Sequence, residues 1–372
     1  MRESNNFNTG SEKPIVLLSP LDWGLGHTTR CIPIIHELLH QGCHIIIACN
    51  STQKALLIQE FPQLQYEHLS GYDLTYSKTR WGTIVRILIQ TPKILTKINT
   101  ENSWLNNFLK SQAVDLIISD NRFGFYAPRI PSVFITHQLY IKTGLGRFAN
   151  RLVQWLNFRR IERFSTCWVP DYQGKDSLAG LLSNPRQLPA IPVRYLGGLS
   201  RFTGCESLNP SIDLLIILSG PEPQRSLFED LILKQLEDQP VKWVLVRGLP
   251  QAADPIAHAE NGTIYNHAPA SLLNSLICAA EWVISRSGYT TVMDLLKLGK
   301  KSILVPTPGQ AEQEYLAAHL YEQRLAYSVS QSRLSLAEAQ AAARQFPFRL
   351  HAFNMQAYKE VIGEMIRKIR KS

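Results

Sequence analysis

The stretch WVISRSGYTTVMDLLKLGKKSILVP, Trp282 to Pro306, reads as strand, turn, helix and strand in succession. Trp282 to Ser285 (WVIS) is apolar and short. The S-R-S-G turn ends it, and Thr290 to Leu298 follows with apolar residues at helical spacing. Gly299 stops that helix, and Ser302 to Pro306 (SILVP) returns to an apolar run. Two buried strands joined by a helix form a βαβ unit of a parallel sheet.

The pattern extends in both directions. Leu214 to Gly220 (LLIILSG) and Trp243 to Gly248 (WVLVRG) are further strands, with helices at Gln224 to Leu236 and Ala270 to Cys278. An earlier series has strands at Val16 to Pro20, His44 to Cys49, Leu116 to Asp120 and Val133 to His137. Its helices run to about Gln41 and over Thr52 to Gln59. Between the two series, Leu182 to Asn209 is rich in Pro and Gly and reads as linker. The expected fold class is therefore α/β, with two Rossmann-like, doubly wound parallel sheets facing across a cleft. The expected boundaries are a disordered 1–13, a first domain at 14–198, a linker at 199–209, a second domain at 210–345 and a C-terminal helix at 346–372. A chain of 372 residues is too long for one ordinary core and suits two.

Residues Met1 to Lys13 have no apolar core and do not read as a signal peptide. No apolar run reaches the length of a membrane span. The six cysteines include no C-x-x-C pair and mostly lie in apolar stretches, so they read as reduced thiols of a cytoplasmic protein. The formal charge of +9 favours an anionic partner.

The turn before Thr290 is the first candidate site. It leaves a strand at its C-terminal edge and opens a helix. The free N–H groups of Tyr289, Thr290 and Thr291, with the helix dipole, make an anion site, and Gly288 admits a phosphate close to the backbone. Asp294, about one turn further on, suits a carboxylate that accepts ribose hydroxyls beside a diphosphate. The plainer reading is a turn followed by a solvated helix.

The segment SRSGYTTVMDLLKLGKKSILVPTPGQAEQEYLAAHL resembles the donor region of the MurG family. These are N-acetylglucosaminyltransferases of peptidoglycan lipid-intermediate synthesis, in glycosyltransferase family 28, with the GT-B fold. Two upstream segments resemble the same family in the same order. IPSVFITHQLYIKTGLGRFANRLV is similar to its H-E-Q-N segment, and SPLDWGLGHTTRCIPII to its glycine-rich first loop. The resemblance implies that Gly288, Tyr289 and Thr290 hold a donor diphosphate, with Arg286 and Ser287 nearby. It places Asp294 where the family has a ribose-binding Glu. It places Gln313 and Glu314 where the family has two glutamines facing the donor sugar. An ionised Glu314 only accepts hydrogen bonds, so this departure leaves the transferred sugar open. The loop SGPEPQR also departs from the family's Gly- and Ser-rich turn. Pro221 and Pro223 lack N–H groups, leaving Ser219, Gly220 and Gln224 to reach a phosphate there.

The loop PLDWGLGHTTR follows the first strand, and Gly24 and Gly26 allow close approach of an acceptor. His27 opens the next helix. Its position at a helix N-terminus would lower its pKa and suit it as a catalytic base, with Asp120 orienting the ring. A helix-capping histidine is the plainer reading. His137 and Gln138 match the acceptor-side segment, without that family's intervening acid.

Two segments mix basic, aromatic and apolar residues. Tyr76 to Asn99 has Trp81, Ile84, Val85 and Leu88 among Lys78, Arg80, Arg86, Lys93 and Lys97. Arg147 to Phe164 has Phe148, Trp155 and Phe158 among Arg151, Arg159, Arg160 and Arg163. They read either as an interface with anionic lipid or as helices packed on the sheet. Pro92 is expected to break the first helix. No nucleic-acid module is recognisable.

The expected function is inverting transfer of a hexose or N-acetylhexosamine from a nucleotide diphosphate to an acceptor hydroxyl. The nucleotide is uridine-based by resemblance, and a lipid-linked or lipid acceptor fits the basic segments. No Asp-x-Asp occurs, so neither metal nor other cofactor is expected, the nucleotide-sugar being a substrate. Two alternatives stay open: a nucleotide-sugar 2-epimerase with a similar cleft, and a non-catalytic nucleotide-sugar-binding protein.

Overall fold

A computed structural model describes residues 13–72, 80–143, 146–205, 210–237, 240–250, 252, 257–259 and 261–371. The first sheet is built from β1 (Ile15–Pro20), β2 (His44–Cys49), β3 (Gln65–His68), β4 (Leu116–Asp120), β5 (Ser132–Ile135), β6 (Thr166–Val169) and β7 (Val193–Tyr195). They lie in the order β3-β2-β1-β4-β5-β6-β7, and every pairing is parallel. Its helices are α1 (Leu25–His40), α2 (Ser51–Glu60), α3 (Arg80–Phe108) and α4 (Arg147–Ile161).

The second domain contributes β8 (Ile212–Ile217), α5 (Gln224–Leu236), β9 (Trp243–Val246), β10 (Ala257–Ala259), β11 (Gly262–Tyr265), α6 (Ala270–Ala279), β12 (Ala280–Ser285), α7 (Tyr289–Lys297), β13 (Ser302–Leu304), α8 (Ala311–Glu322), β14 (Tyr327–Ser328) and α9 (Leu336–Gln345). The strand order is β10-β11-β9-β8-β12-β13-β14, parallel apart from the β10–β11 pair.

The strands are apolar on both faces because helices cover both. Val16, Leu18, Ile45, Ile47, Leu116 and Ile118 pack against Ile35 and Leu38 of α1. Leu214, Ile216, Leu245, Ile284 and Ile303 pack on Phe228 and Ile232 of α5 and on Ala339 and Ala343 of α9. Truncating one of these side chains to Ala costs about 2–5 kcal/mol. The last helix, α10 (Ala357–Ile369), returns to the first domain, where Val361, Ile362 and Ile366 join its core. Arg370 donates to the Gln41 carbonyl at 2.5 Å.

Several expectations change. Pro92 lies inside α3 instead of ending it. Pro92 and its neighbours Thr91 and Lys93 are exposed, so water can serve the groups that lose their helical bond. Most of the basic and aromatic side chains expected at 76–89 fall outside the described residues. Three residues of the expected linker, Val193 to Tyr195, form edge strand β7, which the surrounding prolines conceal. Cys205 and Cys278 are joined in a disulfide, which corrects the reading of all six cysteines as reduced. The chain after β7 passes over the end of α6 and brings two Cα atoms 73 positions apart to within 5.3 Å. The other four cysteines are free and buried.

Candidate active site

The loops after β1 and β12 meet where the two domains face each other. Gly288 caps α7 in an extended conformation, and no side chain caps that end. The N–H groups of the first turn therefore remain available to an anion. Thr290 Oγ1 donates to the Gly26 carbonyl across the cleft at 3.0 Å, so the start of α7 touches the start of α1. A Cβ on Gly26 would sit 3.2 Å from that hydroxyl oxygen, closer than ordinary van der Waals contact. Gly24, at φ +87°, turns the chain into α1 and leaves that end uncapped too.

Ser287 Oγ donates to the Gln313 carbonyl at 2.9 Å and ties this turn to α8. Arg286 does not reach the cleft. Its guanidinium is buried, donates to the carbonyls of Gln224, Val305 and Pro306, and lies 4.0 Å from the centre of the Phe228 ring. Burial lowers its pKa to about 10. It is an internal tie between strand ends.

Asp294 is buried one turn along α7. Its Oδ1 accepts from Ser200 Oγ at 2.6 Å, and its Oδ2 lies 3.8 Å from Arg201 Nε. Burial pushes its carboxyl up to about 6, with Arg201 and Ser200 pulling the other way. Arg201 also lines a cavity of about 270 Å³ between the domains. Ile32, Leu56, Gln59 and Glu60 form the first-domain wall, and His267, Pro269, Ala270 and Ser271 the other. Burial, then Arg201, holds His267 below the usual histidine range.

The first loop is fixed from below. Asn50 and Gln53 form a capping box at the start of α2. Gln53 Nε2 then donates to the carbonyls of Pro20 and Leu21, each at 3.1 Å. Asp22 accepts from the Tyr72 N–H at 2.9 Å and faces Arg122 at 3.6 Å.

His27 and Asp120 come together as expected, Nδ1 to Oδ1 at 3.2 Å. A third residue, Arg30, joins them. Its Nε donates to Asp120 Oδ2 at 2.7 Å, and its Nη2 reaches both Asp120 Oδ1 and His27 Nδ1. Burial raises the Asp120 carboxyl, but Arg30 and then His27 hold it well below the carboxylate range. His27 is lowered by burial first and by Arg30 second, with Asp120 opposing them. The physical cause differs from the helix terminus expected from sequence. Nδ1 has an acceptor in Asp120 and a donor in Arg30, so each neutral tautomer finds a partner.

Arg30 continues to His137, with Nη1 2.8 Å from Nδ1. His137 Nε2 meets Glu312 Oε1 across the cleft at 2.7 Å, and the His137 ring lies on Tyr289 with centroids 4.2 Å apart. Tyr289 Oη donates to the Pro170 carbonyl. Gln138 is partly buried, and its carbonyl accepts from Asn157 at 3.3 Å.

Gln313 and Glu314 turn into their own loop. Gln313 Oε1 accepts from the Thr307 N–H at 2.9 Å, its Nε2 donates to Gln310, and Glu314 Oε1 accepts from the Gly309 N–H at 2.9 Å. Ser219 and Gly220 follow β8, beside β12, and Gly220 is exposed. Sequence reasoning missed Arg30, Glu312, Ser200 and Arg201. Arg30 was accessible to it, standing three positions after His27 on the same helix face.

Residues 230–361 match the glycosyltransferase family 28 C-terminal domain. Over that stretch the chain is similar to this family's C-terminal domain. Two curated relatives are similar to it, both described as UDP-N-acetylglucosamine--N-acetylmuramyl-(pentapeptide) pyrophosphoryl-undecaprenol N-acetylglucosamine transferase. The one from Sulfurihydrogenibium sp. (strain YO3AOP1) is 32% identical over 97 residues, which cover 26% of this chain and 27% of the relative. The one from Buchnera aphidicola subsp. Schizaphis graminum (strain Sg) is 24% identical over 258 residues, 66% of this chain and 68% of the relative. The chain thus spans about a quarter of the first relative's length and two thirds of the second's. Among solved structures, the glycotransferase of kitacinnamycin superposes with a TM-score of 0.62 at 15% identity, over 96% of this chain and 94% of its own. The two sheets together make a GT-B fold, as the sequence led us to expect.

Proposed function

We propose that this chain is an inverting glycosyltransferase. It moves a hexose or N-acetylhexosamine from a nucleotide diphosphate, uridine-based in the named relatives, to an acceptor hydroxyl. The observation that carries this reading is the contact between the uncapped start of α7 and Gly26, the neighbour of His27. It supports the reading by bringing an uncapped helix start and the neighbour of His27 together across one cleft. Opening of that contact admits the donor, whose diphosphate takes the N–H groups of Tyr289, Thr290 and Thr291. The nucleoside extends toward Asp294 and the cavity beside Arg201.

The chemistry then follows from the residues. With Nδ1–H donated to Asp120, the other ring nitrogen of His27 accepts the acceptor's proton. The acceptor oxygen forms a bond to the anomeric carbon as the bond to the diphosphate oxygen breaks. The departing negative charge falls on the start of α7, where fixed N–H dipoles stabilise it without reorganising.

A lipid-linked acceptor fits α4. Phe148 is 92% exposed, Leu152 58% and Trp155 51%, among Arg147, Arg151 and Arg159. An apolar face ringed by arginines favours an anionic lipid surface. No helix of the described residues is long and apolar enough to cross a membrane. The same two relatives are named for an undecaprenol-linked acceptor.

Incubation with a panel of nucleotide sugars and polyprenyl-linked acceptors, read by mass spectrometry, tests the proposal. A glycosylated acceptor with inverted anomeric configuration supports it. An isomerised donor formed without acceptor, or binding without turnover, refutes it.

A further inference from the structure

Glu312 occupies the second position of α8, whose N-terminus no side chain caps. A helix start favours a carboxylate. Of the neighbouring polar side chains, Gln313 and Glu314 serve the turn at Thr307 to Gln310, whereas Glu312 crosses to the first domain. Its Oε1 meets His137 Nε2, while Oε2 has no hydrogen-bond partner among the described residues, and the side chain is 35% exposed. The direction of the His137 bond is fixed by Arg30. A guanidinium only donates, so His137 Nδ1 accepts and Nε2 carries the proton toward Glu312. His137 counters the effect of burial and holds the Glu312 carboxyl below its ordinary range.

This carboxylate lies beside the anion site, because the ring that binds it rests on Tyr289, the first residue of α7. The stacked rings of His137 and Tyr289 thus bring Glu312 near the side from which a sugar on that diphosphate would extend. We propose that Glu312 selects the donor sugar: Oε2 accepts its hydroxyls, and the charge excludes sugars that bear a carboxylate. The inference rests on the donor-site reading above and narrows it to neutral or N-acetylated hexoses over uronic acids. Two like charges a few ångströms apart in a partly buried cleft repel strongly enough to decide between such donors.

Calorimetry with UDP, UDP-glucose and UDP-glucuronate on the wild-type protein and on Glu312→Gln tests this. The amide keeps the oxygen that His137 needs and removes the charge. Wild-type protein should bind UDP-glucuronate at least about tenfold more weakly than UDP-glucose, and Glu312→Gln should shrink that ratio to about threefold or less. An equal ratio in both proteins, with UDP still bound, overturns the role of Glu312 and leaves the donor site standing. A folded wild-type protein that binds no UDP overturns the donor reading itself, and this inference with it.

Discussion

Arg30 stands between Asp120 and His137, with its Nε 2.7 Å from the carboxylate and its Nη1 2.8 Å from the imidazole. One buried cation thus orders both the expected catalytic pair and the histidine that faces the second domain. Arg30→Ala should destabilise the fold by about 3–5 kcal/mol, because it leaves Asp120 charged and unpaired in the interior. Arg30→Met combined with Asp120→Leu should recover much of that loss. Denaturant unfolding of the single and double variants measures the difference.

His27→Ala should lower kcat by roughly 10²–10⁴ with little change in donor affinity. His27 must be neutral to accept a proton, and burial, then Arg30, holds its pKa below the ordinary histidine range. The wild-type rate should therefore hold at neutral pH and fall only as pH drops through that lowered value. The variant's profile should lack this acidic limb. A fall in donor affinity at unchanged kcat would make His27 a binding residue instead.

Asp294 carries an opposite pH signature. Its carboxyl, raised from 3.8 to about 6, holds in the folded state a proton that the unfolded chain has already released. Stability therefore falls as pH rises between those values, and above them the cost is about 3 kcal/mol. Asp294→Asn should raise Tm at pH 7.5 and leave it nearly unchanged at pH 4. The same variant should weaken donor binding by about 1.5–3 kcal/mol, the range for a hydrogen bond to a charged group. Thermal melts at the two pH values and donor titrations separate the effects.

Turnover should survive excess EDTA, since helix N–H groups take the place of a cation at the leaving group. Loss of activity on chelation, restored by Mg²⁺ or Mn²⁺, would refute that mechanism.

Binding to vesicles of anionic lipid should exceed binding to neutral vesicles and fall with salt. Replacing Phe148 and Trp155 with Ser should reduce it for both vesicle types. Replacing Arg151 and Arg159 should reduce only the anionic preference, by about 1 kcal/mol per arginine. Sedimentation with the vesicles gives both numbers.

The parallel strands and the two-sheet plan were legible because parallel strands leave continuous apolar runs such as Ile45 to Ile47 and Val283 to Ile284. The strand–turn–helix at Gly288 was legible because a glycine separates an apolar run from residues at helical spacing. Side-chain direction was not. Arg286 belongs to the same turn as Gly288, yet three carbonyls at neighbouring strand ends draw its guanidinium inward. Gln313 and Glu314 bend back to nearby N–H groups, and the adjacent Glu312 crosses the cleft. These outcomes depend on partners up to 175 positions away, and no local spacing encodes them.

The return of α10 to the first domain means that the chain crosses between the sheets twice, once after β7 and once after α9. A body held by a single strap can swivel in any direction. Two straps confine it to rotation about the line that joins them, as a door turns on a pair of pins. Each opening and reclosure should bring Thr290 back to the same carbonyl of Gly26.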